Sequence, residues 1–448
     1  MDQRVLGKRI KELRMTLLGY SQEEFGEKIG FDRTFISRIE SGKQNITLET
    51  LNKICDGLNI ELKELFDFSP STTRTCQTPI KLATVFSGIG AVESALKYLN
   101  YNHQLVFACD NGERELNISY DEVDDIVSGK PDDEVQQIIR ELYSKTGKPN
   151  LVKETYFANY DIDDSRWYDD IKYLNAKKFE GKVDLFVGGS PCQSFSVNGK
   201  RAGLQDTRGT LFYEYARIIN ESKPKVFIYE NVRGMLNHDK GNTWKIIREV
   251  FDSLNYNVFL QKIDGIETPT LNAKDYGIPQ NRERLFVVGF RRDLGISKFD
   301  FPKREQLTTT IFDYLEPSVD AKYYLAKKGF EFVTTHPSRA RVGNEIMGCQ
   351  KANQQFNWNG DFIFETLDYV KNNKEILDRA YVGQWNGTVG VCRKYTPREC
   401  LRLMGFRDDF KIVHKDEVMY RQSGNSIVVN VLMRLVEAIE RTGVWDND

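Results

Sequence analysis

The chain has 448 residues, 40% hydrophobic and 29% charged, with 63 Lys and Arg balanced by 65 Asp and Glu for a formal net charge of −2. That length predicts more than one domain, and no apolar run approaches the roughly 20 residues that cross a bilayer. Met1-Asp-Gln-Arg-Val-Leu-Gly-Lys has no leader-like apolar core, the 7 cysteines lack CxxC spacing and suit reduced thiols in a cytoplasmic compartment, and the 4 histidines are scattered, so no metal is expected. A near-neutral total does not exclude nucleic acid as a partner, because only the local charge of the binding face matters.

Residues 1–68 predict five short helices, at 7–14, 22–29, 32–40, 48–58 and 61–66. Ser21 followed by Glu24 is a capping-box pattern, Gly30 breaks the chain, Ser41-Gly42 ends the third helix and Thr47 caps the fourth. The spacing resembles the helix-turn-helix of phage-repressor-like DNA-binding domains, with 32–40 as the recognition helix. Phe35, Ile36 and Ile39 would face its core, leaving Arg33, Thr34, Ser37 and Arg38 for DNA, which such domains bind as dimers on paired half-sites. A helical dimerisation module that touches no DNA is the alternative. Residues 69–79, polar and bounded by proline, read as a linker.

From Ile80 apolar strands alternate with helical stretches, which predicts an α/β fold on a parallel sheet. A strand at 82–86 runs into Ser87-Gly-Ile-Gly90 and a helix at 92–99, and the next strand, 104–109, ends in Asp110. The glycines allow the backbone to approach a ligand closely, although the spacing is not GxGxxG. An acidic segment, 121–148, interrupts the alternation with a helix at 132–143 and reads as a solvated insertion.

The strand 183–189 leads into Ser190-Pro191-Cys192-Gln193. A second, 226–229, precedes Glu230-Asn231-Val232, and Arg282-Glu283-Arg284 precedes a third at 285–288. Ligands of open α/β sheets sit beyond the carboxyl ends of the strands. A thiol, a carboxyl group and an arginine gathered there suit covalent attack on a pyrimidine. Cytosine C6 becomes electrophilic when N3 is protonated or hydrogen-bonded, and a thiolate is the matching soft nucleophile. A buried inert thiol is the alternative, disfavoured by Pro191 before it and the polar run after it.

Residues 301–391 lose the strand–helix alternation. Lys322, Lys327, Lys328, Arg339, Arg341 and Lys351 suit phosphates, and Gln350, Asn353, Gln354, Gln355, Asn357 and Asn359 offer amides for base edges. A last helix is expected at 427–439, with Gly424-Asn425-Ser426 as its cap.

In chain order, Phe86-Ser-Gly-Ile-Gly90, Pro191-Cys192-Gln193, Asp206-Thr-Arg-Gly-Thr-Leu-Phe212, Glu230-Asn231-Val232, Gln280-Asn-Arg-Glu-Arg284, Arg393-Lys-Tyr-Thr-Pro-Arg-Glu-Cys400 and Gly424-Asn425-Ser426 resemble the DNA (cytosine-5) methyltransferase family. The resemblance covers 80–300 and 392–448. It implies a Rossmann-like S-adenosylmethionine-dependent methyltransferase, a small target-recognition domain at 301–391, and a C-terminal part, 392–448, that returns to the cofactor site. The all-α helix-turn-helix domain would precede it.

The resemblance further implies that Phe86, Gly88, Ile89 and Gly90 form the cofactor loop and that Asp110, where the family usually has Glu, holds the ribose. Asp170-Ile171 would contact adenine, with Asp161-Ile162 as the competing pair. Thr210 and Leu211 would line the pocket, and Asn425 with Ser426 would close it. Cys192, Glu230, Arg282 and Arg284 would be catalytic, and Gln193, Ser196 and Asn198 would meet DNA. Double-stranded DNA, a cognate restriction endonuclease and a bacterial or phage setting are the implied context. The transfer-RNA branch of the family carries a Cys-Phe-Thr signature absent here, and a binding-only regulator would not need every catalytic position filled.

Overall fold

The computed structural model describes residues 3–14, 18, 20–66, 78–190, 211–353 and 358–445. The chain divides into two compact units, Met1–Thr73 and Arg74–Asp448.

The first unit contains α1 (Gln3–Leu13), α2 (Gln22–Ile29), α3 (Arg33–Glu40), α4 (Leu48–Leu58) and α5 (Leu62–Leu65). Local chemistry sets the helix starts. Ser21 Oγ accepts from the Glu24 amide while the Glu24 carboxylate accepts from the Ser21 amide, a complete capping box. Asp32 caps α3 by accepting from the Phe35 amide at 2.8 Å, so the helix begins one residue later than the sequence pattern suggests. Thr47 caps α4 in the same way. Leu6, Ile10, Phe25, Ile36, Ile39, Ile54 and Leu58 make the core. A buried ion pair, Arg14 Nε to Glu40 Oε1 at 2.7 Å, joins α1 to α3, and the Gln22 amide donates to the other carboxylate oxygen.

The second unit is built on one large sheet. Its strands are β1 (Ile80–Val85), β2 (His103–Cys109), β3 (Trp167–Tyr168), β4 (Leu185–Gly188), β5 (Val226–Val232), β6 (Tyr256–Phe259), β9 (Thr270–Asn272) and β10 (Glu283–Arg291), with a separate ribbon of β7 (Lys262–Ile263) and β8 (Ile266–Glu267). The order is β3-β2-β1-β4-β5-β10-β6, and β9 also pairs with β10. β1 to β5 pair in parallel, whereas β10 runs antiparallel to β5, β6 and β9. The sheet is therefore mixed rather than wholly parallel. The chain reaches β10 through the short strands β7 to β9 and not through a crossover helix, which only an antiparallel entry permits.

Strand residues alternate between two cores, as the pleat requires. Leu82, Leu185, Val187, Val226 and Ile228 face one side, where α6 (Ala91–Tyr98) and the helix Val429–Glu440 pack through Ala95, Val429, Leu432 and Val436. Ala83, Val85, Phe186, Phe227 and Tyr229 face the other, under Phe212, Tyr215, Ile219, Ile247 and Phe251 of the helices Leu211–Ser222 and Asn242–Ser253. The last helix thus packs against α6, the helix that follows the first strand and its loop.

Between β2 and β3 come α7 (Tyr120–Val127), α8 (Asp132–Ser144) and α9 (Leu151–Asn159). The acidic segment is not simply solvated. Val123, Ile139 and Tyr143 are buried with Leu116, Ile118 and Tyr173 in a small core of their own. Its polar residues lie on the outer faces of amphipathic helices, which composition alone does not reveal.

Beyond residue 300 a second sheet forms in the order β11-β12-β14-β13, from β11 (Ala340–Val342), β12 (Gly360–Thr366), β13 (Gly383–Trp385) and β14 (Thr388–Arg393). β14 runs past position 391, where the composition changes. Gly424 and Asn425 end the helix Asp416–Asn425 and Ser426 is its C-cap, so this triad closes one helix instead of opening the next. Among the described residues no helix is long and apolar enough to cross a membrane.

Candidate active site

Because β10 is antiparallel, its first residues lie at the carboxyl ends of β4 and β5. Arg284 falls inside the strand, opposite Val232, rather than ahead of it. Its Nε lies 3.4 Å from Glu230 Oε1, and the two side chains are 16% and 14% exposed. Burial raises the Glu230 carboxyl above its ordinary range, an effect that Arg284 and Arg282 oppose without cancelling.

β4 delivers the next segment to the same place. A Cβ on Gly189 would meet Glu230 O at 2.5 Å and its carboxylate at 2.8 Å, so only glycine lets the chain pass there. Ser190 is then fixed. Its carbonyl accepts from the Asn231 amide at 2.9 Å, and its hydroxyl lies 3.0 Å from Tyr229 Oη. Cys192, Gln193, Ser196, Asn198 and Thr210 lie outside the described residues. Leu211, the first described residue after them, opens the helix Leu211–Ser222 and is half-buried.

Arg282 takes a different position. It is 4% exposed, and its guanidinium donates to Gln350 O at 2.7 Å, Gly424 O at 3.0 Å and Ser426 O at 2.8 Å. It ties the start of β10 to two distant segments. Cys349, not singled out from the sequence, lies 3.5 Å from Arg284 Nη2 and 3.8 Å from Arg282 Nη1. Burial pushes this thiol up, but Arg282 and Arg284 outweigh it and hold the pKa below the ordinary thiol value. Its isolation in the sequence gave no signal, since the neighbours come from another element.

At the other end of the sheet, the loop after β1 is conformationally unusual. Phe86 has φ 51°, Gly88 54° and Gly90 78°. A bulky residue in that region is strained by about 1–3 kcal/mol, a feature that concentrates at ligand sites. A Cβ on Gly90 would sit 2.2 Å from the Tyr160 ring, whose hydroxyl donates to Gly90 O at 2.5 Å. Ile89 is buried in the core below. Asp110, just past β2, accepts from Gly88 N at 3.0 Å and Gly112 N at 2.8 Å. Burial raises it despite these bonds. Asp170 follows β3, where burial also raises it, while Asp161 is exposed on the segment before that strand. Two oriented carboxylates with acceptor capacity to spare fit the hydroxyls of a ribose and the exocyclic amine of adenine. Asn425 is exposed and donates to Glu113 at 2.7 Å, and the buried Ser426 hydroxyl donates to Ile427 O.

On α3 of the first unit, Arg33, Thr34, Ser37 and Arg38 are all exposed. In the second, several cations expected to face DNA make surface pairs and stay exposed. Lys322 pairs with Asp416, Lys327 with Glu331 and Arg341 with Asp361, and Arg339 donates to Asn359. Gln350 is 1% exposed and donates to Ser423 Oγ, whereas Asn353 is exposed. Gln354, Gln355 and Asn357 lie outside the described residues.

Residues 137–441 match a family model described as C-5 cytosine-specific DNA methylase, and residues 10–65 match a helix-turn-helix model. The type II methyltransferase M.HhaI of Haemophilus parahaemolyticus is 38% identical over 275 residues, which cover 59% of this chain and 77% of that protein. The type II methyltransferase M.SsoII of Shigella sonnei is 38% identical over 297 residues, covering 65% and 72%. Among solved structures, the S. pombe Dnmt2 methyltransferase aligns with TM-score 0.51 at 18% identity over 81% of this chain and 99% of its own, a likeness of fold.

Proposed function

We propose a covalent mechanism for this chain, which belongs to the C-5 cytosine-specific DNA methylase family and is a DNA (cytosine-5-)-methyltransferase with an N-terminal helix-turn-helix region. The observation that carries the proposal is the partly buried pair of Glu230 and Arg284, set beside the strand end that leads to Cys192. The target C5 and C6 are hidden in the base stack, so the cytosine is flipped out of the duplex. Cys192 Sγ bonds to C6, and the electron pair of the C5–C6 double bond becomes available at C5. Glu230, its charged form disfavoured by burial, shares a proton with N3 and holds the exocyclic amine. Arg284 donates to the ring O2 as negative charge develops there. The family uses S-adenosylmethionine, which supplies an electrophilic methyl group for C5. Loss of the C5 proton then re-forms the double bond and expels the Cys192 thiolate.

Asp110 and the strained loop 86–90 support a ribose site, and Asp170 with Ile171 an adenine site, beyond β1 to β3. Gln193, Ser196 and Asn198 would grip the opened duplex. Arg282 would act by holding Arg284 and the 424–426 turn in register. We place the enzyme in the cytoplasm of a bacterium, or encoded by a phage, paired with a restriction endonuclease of the same specificity. The exposed Arg33, Thr34, Ser37 and Arg38 support operator binding by α3 as a dimer, hence control of its own promoter. Methyl transfer from labelled S-adenosylmethionine to duplex DNA, compared between wild type and Cys192→Ser, tests the chemistry. Transfer by the serine variant at the wild-type rate would refute it.

A further inference from the structure

The acidic insertion reaches the proposed cofactor site. Tyr143, in the last turn of α8, is 1% exposed, and its hydroxyl donates to Asp170 Oδ2 at 2.8 Å. Tyr120, at the start of α7, donates to the same oxygen at 3.3 Å. The other oxygen, Oδ1, accepts from the Lys172 amide at 3.0 Å. Around this carboxylate the supports are themselves fixed. The Arg114 guanidinium lies 4.5 Å over the Tyr143 ring and pairs with Asp169 at 2.5 Å. Arg217 Nη2 holds the Ile171 carbonyl at 2.7 Å.

A carboxylate has about four acceptor positions, two on each oxygen. Two tyrosine hydroxyls fill Oδ2, and one backbone amide half-fills Oδ1. We propose that Tyr143 and Tyr120 are positioning residues for adenine recognition. By saturating Oδ2 they fix the Asp170 side chain and leave a single acceptor on Oδ1 for the exocyclic amine of the cofactor's adenine. The inference rests on the reading of Asp170-Ile171 as the adenine pair. It gives the insertion a role in ligand selectivity, whereas tyrosines that only anchored the insertion would affect stability alone.

The test uses the full-length protein and calorimetric titration with S-adenosylhomocysteine and with S-inosylhomocysteine, which bears an oxo group in place of the amine. Wild type should prefer the adenosyl ligand, and the Tyr120→Phe/Tyr143→Phe double variant should lose about tenfold of that preference, the scale of one well-formed hydrogen bond. Tyr143→Phe alone keeps the ring beneath Arg114, and this folded variant should lose part of it. Asp170→Asn can donate to the oxo group and should reverse the preference. If the tyrosine variants keep the wild-type preference while Asp170→Asn reverses it, the positioning role is wrong and the adenine site stands. If Asp170→Asn also leaves the preference unchanged, the adenine site itself is misassigned and the inference falls with it.

Discussion

Glu230 is a carboxyl group where its charge is disfavoured, and that has consequences with a definite sign. A carboxyl whose folded pKa exceeds its unfolded value of about 4.3 holds extra protons in the folded state. Its contribution to stability is greatest at low pH and is lost as pH rises through the raised value. If the protonated form assists N3, the single-turnover rate of methyl transfer should fall over the same interval. Glu230→Gln should be slower by about 10²–10⁴-fold and should lack that alkaline limb. A variant with the wild-type pH profile would remove Glu230 from the proton path. The neighbouring arginines separate just as clearly. Arg284→Ala should lower kcat by about 10²–10³-fold with little change in melting temperature. Arg282→Ala strands three buried carbonyls, each costing about 1–3 kcal/mol, and should act first on thermal stability. Calorimetric melting and kcat measured on both variants would reveal a reversed pattern if the roles are exchanged.

Elements differ in how much of them local sequence determines. The caps at Ser21 and Thr47 were legible because each involves residues three apart, whereas Asp32 read as the first helical residue and proves to be the cap. The direction of β10 was not legible, since strand direction is settled by partners remote in sequence. Nor was the burial of Gln350, an amide that composition offers to DNA and the fold gives to Ser423. The Arg393–Cys400 motif shows the same split. Thr396 and Glu399 form a capping box that can be read locally, but Glu399 also receives both Nη atoms of Arg393, whose Nε donates to Glu365 on β12. This arginine is 1% exposed. Arg393→Met should cost about 3–5 kcal/mol in urea unfolding, because it leaves buried carboxylates uncompensated. A loss below about 1 kcal/mol would mean that water reaches the network.

At the scale of the molecule, two units with separate cores suggest two separable tasks. Removing residues 1–73 should leave methylation and its sequence preference intact, while Arg33→Ala with Arg38→Ala should abolish repression in a promoter reporter and leave methylation unchanged. A changed methylation motif in the truncated protein would contradict that division. The family and the parallel strands β1, β2, β4 and β5 were readable, since Phe86, Ser190 and Glu230 come at or near the carboxyl ends of β1, β4 and β5, where chemistry constrains the residues. The central claim concerns Cys192 and is tested most directly by trapping. Duplex DNA with 5-fluorocytosine in place of every cytosine, incubated with the enzyme and S-adenosylmethionine, presents the target whatever its sequence. Fluorine cannot leave C5 as the proton does, so wild type should accumulate a denaturant-resistant protein–DNA adduct and Cys192→Ser none. No adduct with wild type, or an equal yield with Cys192→Ser, would contradict covalent attack by this thiol.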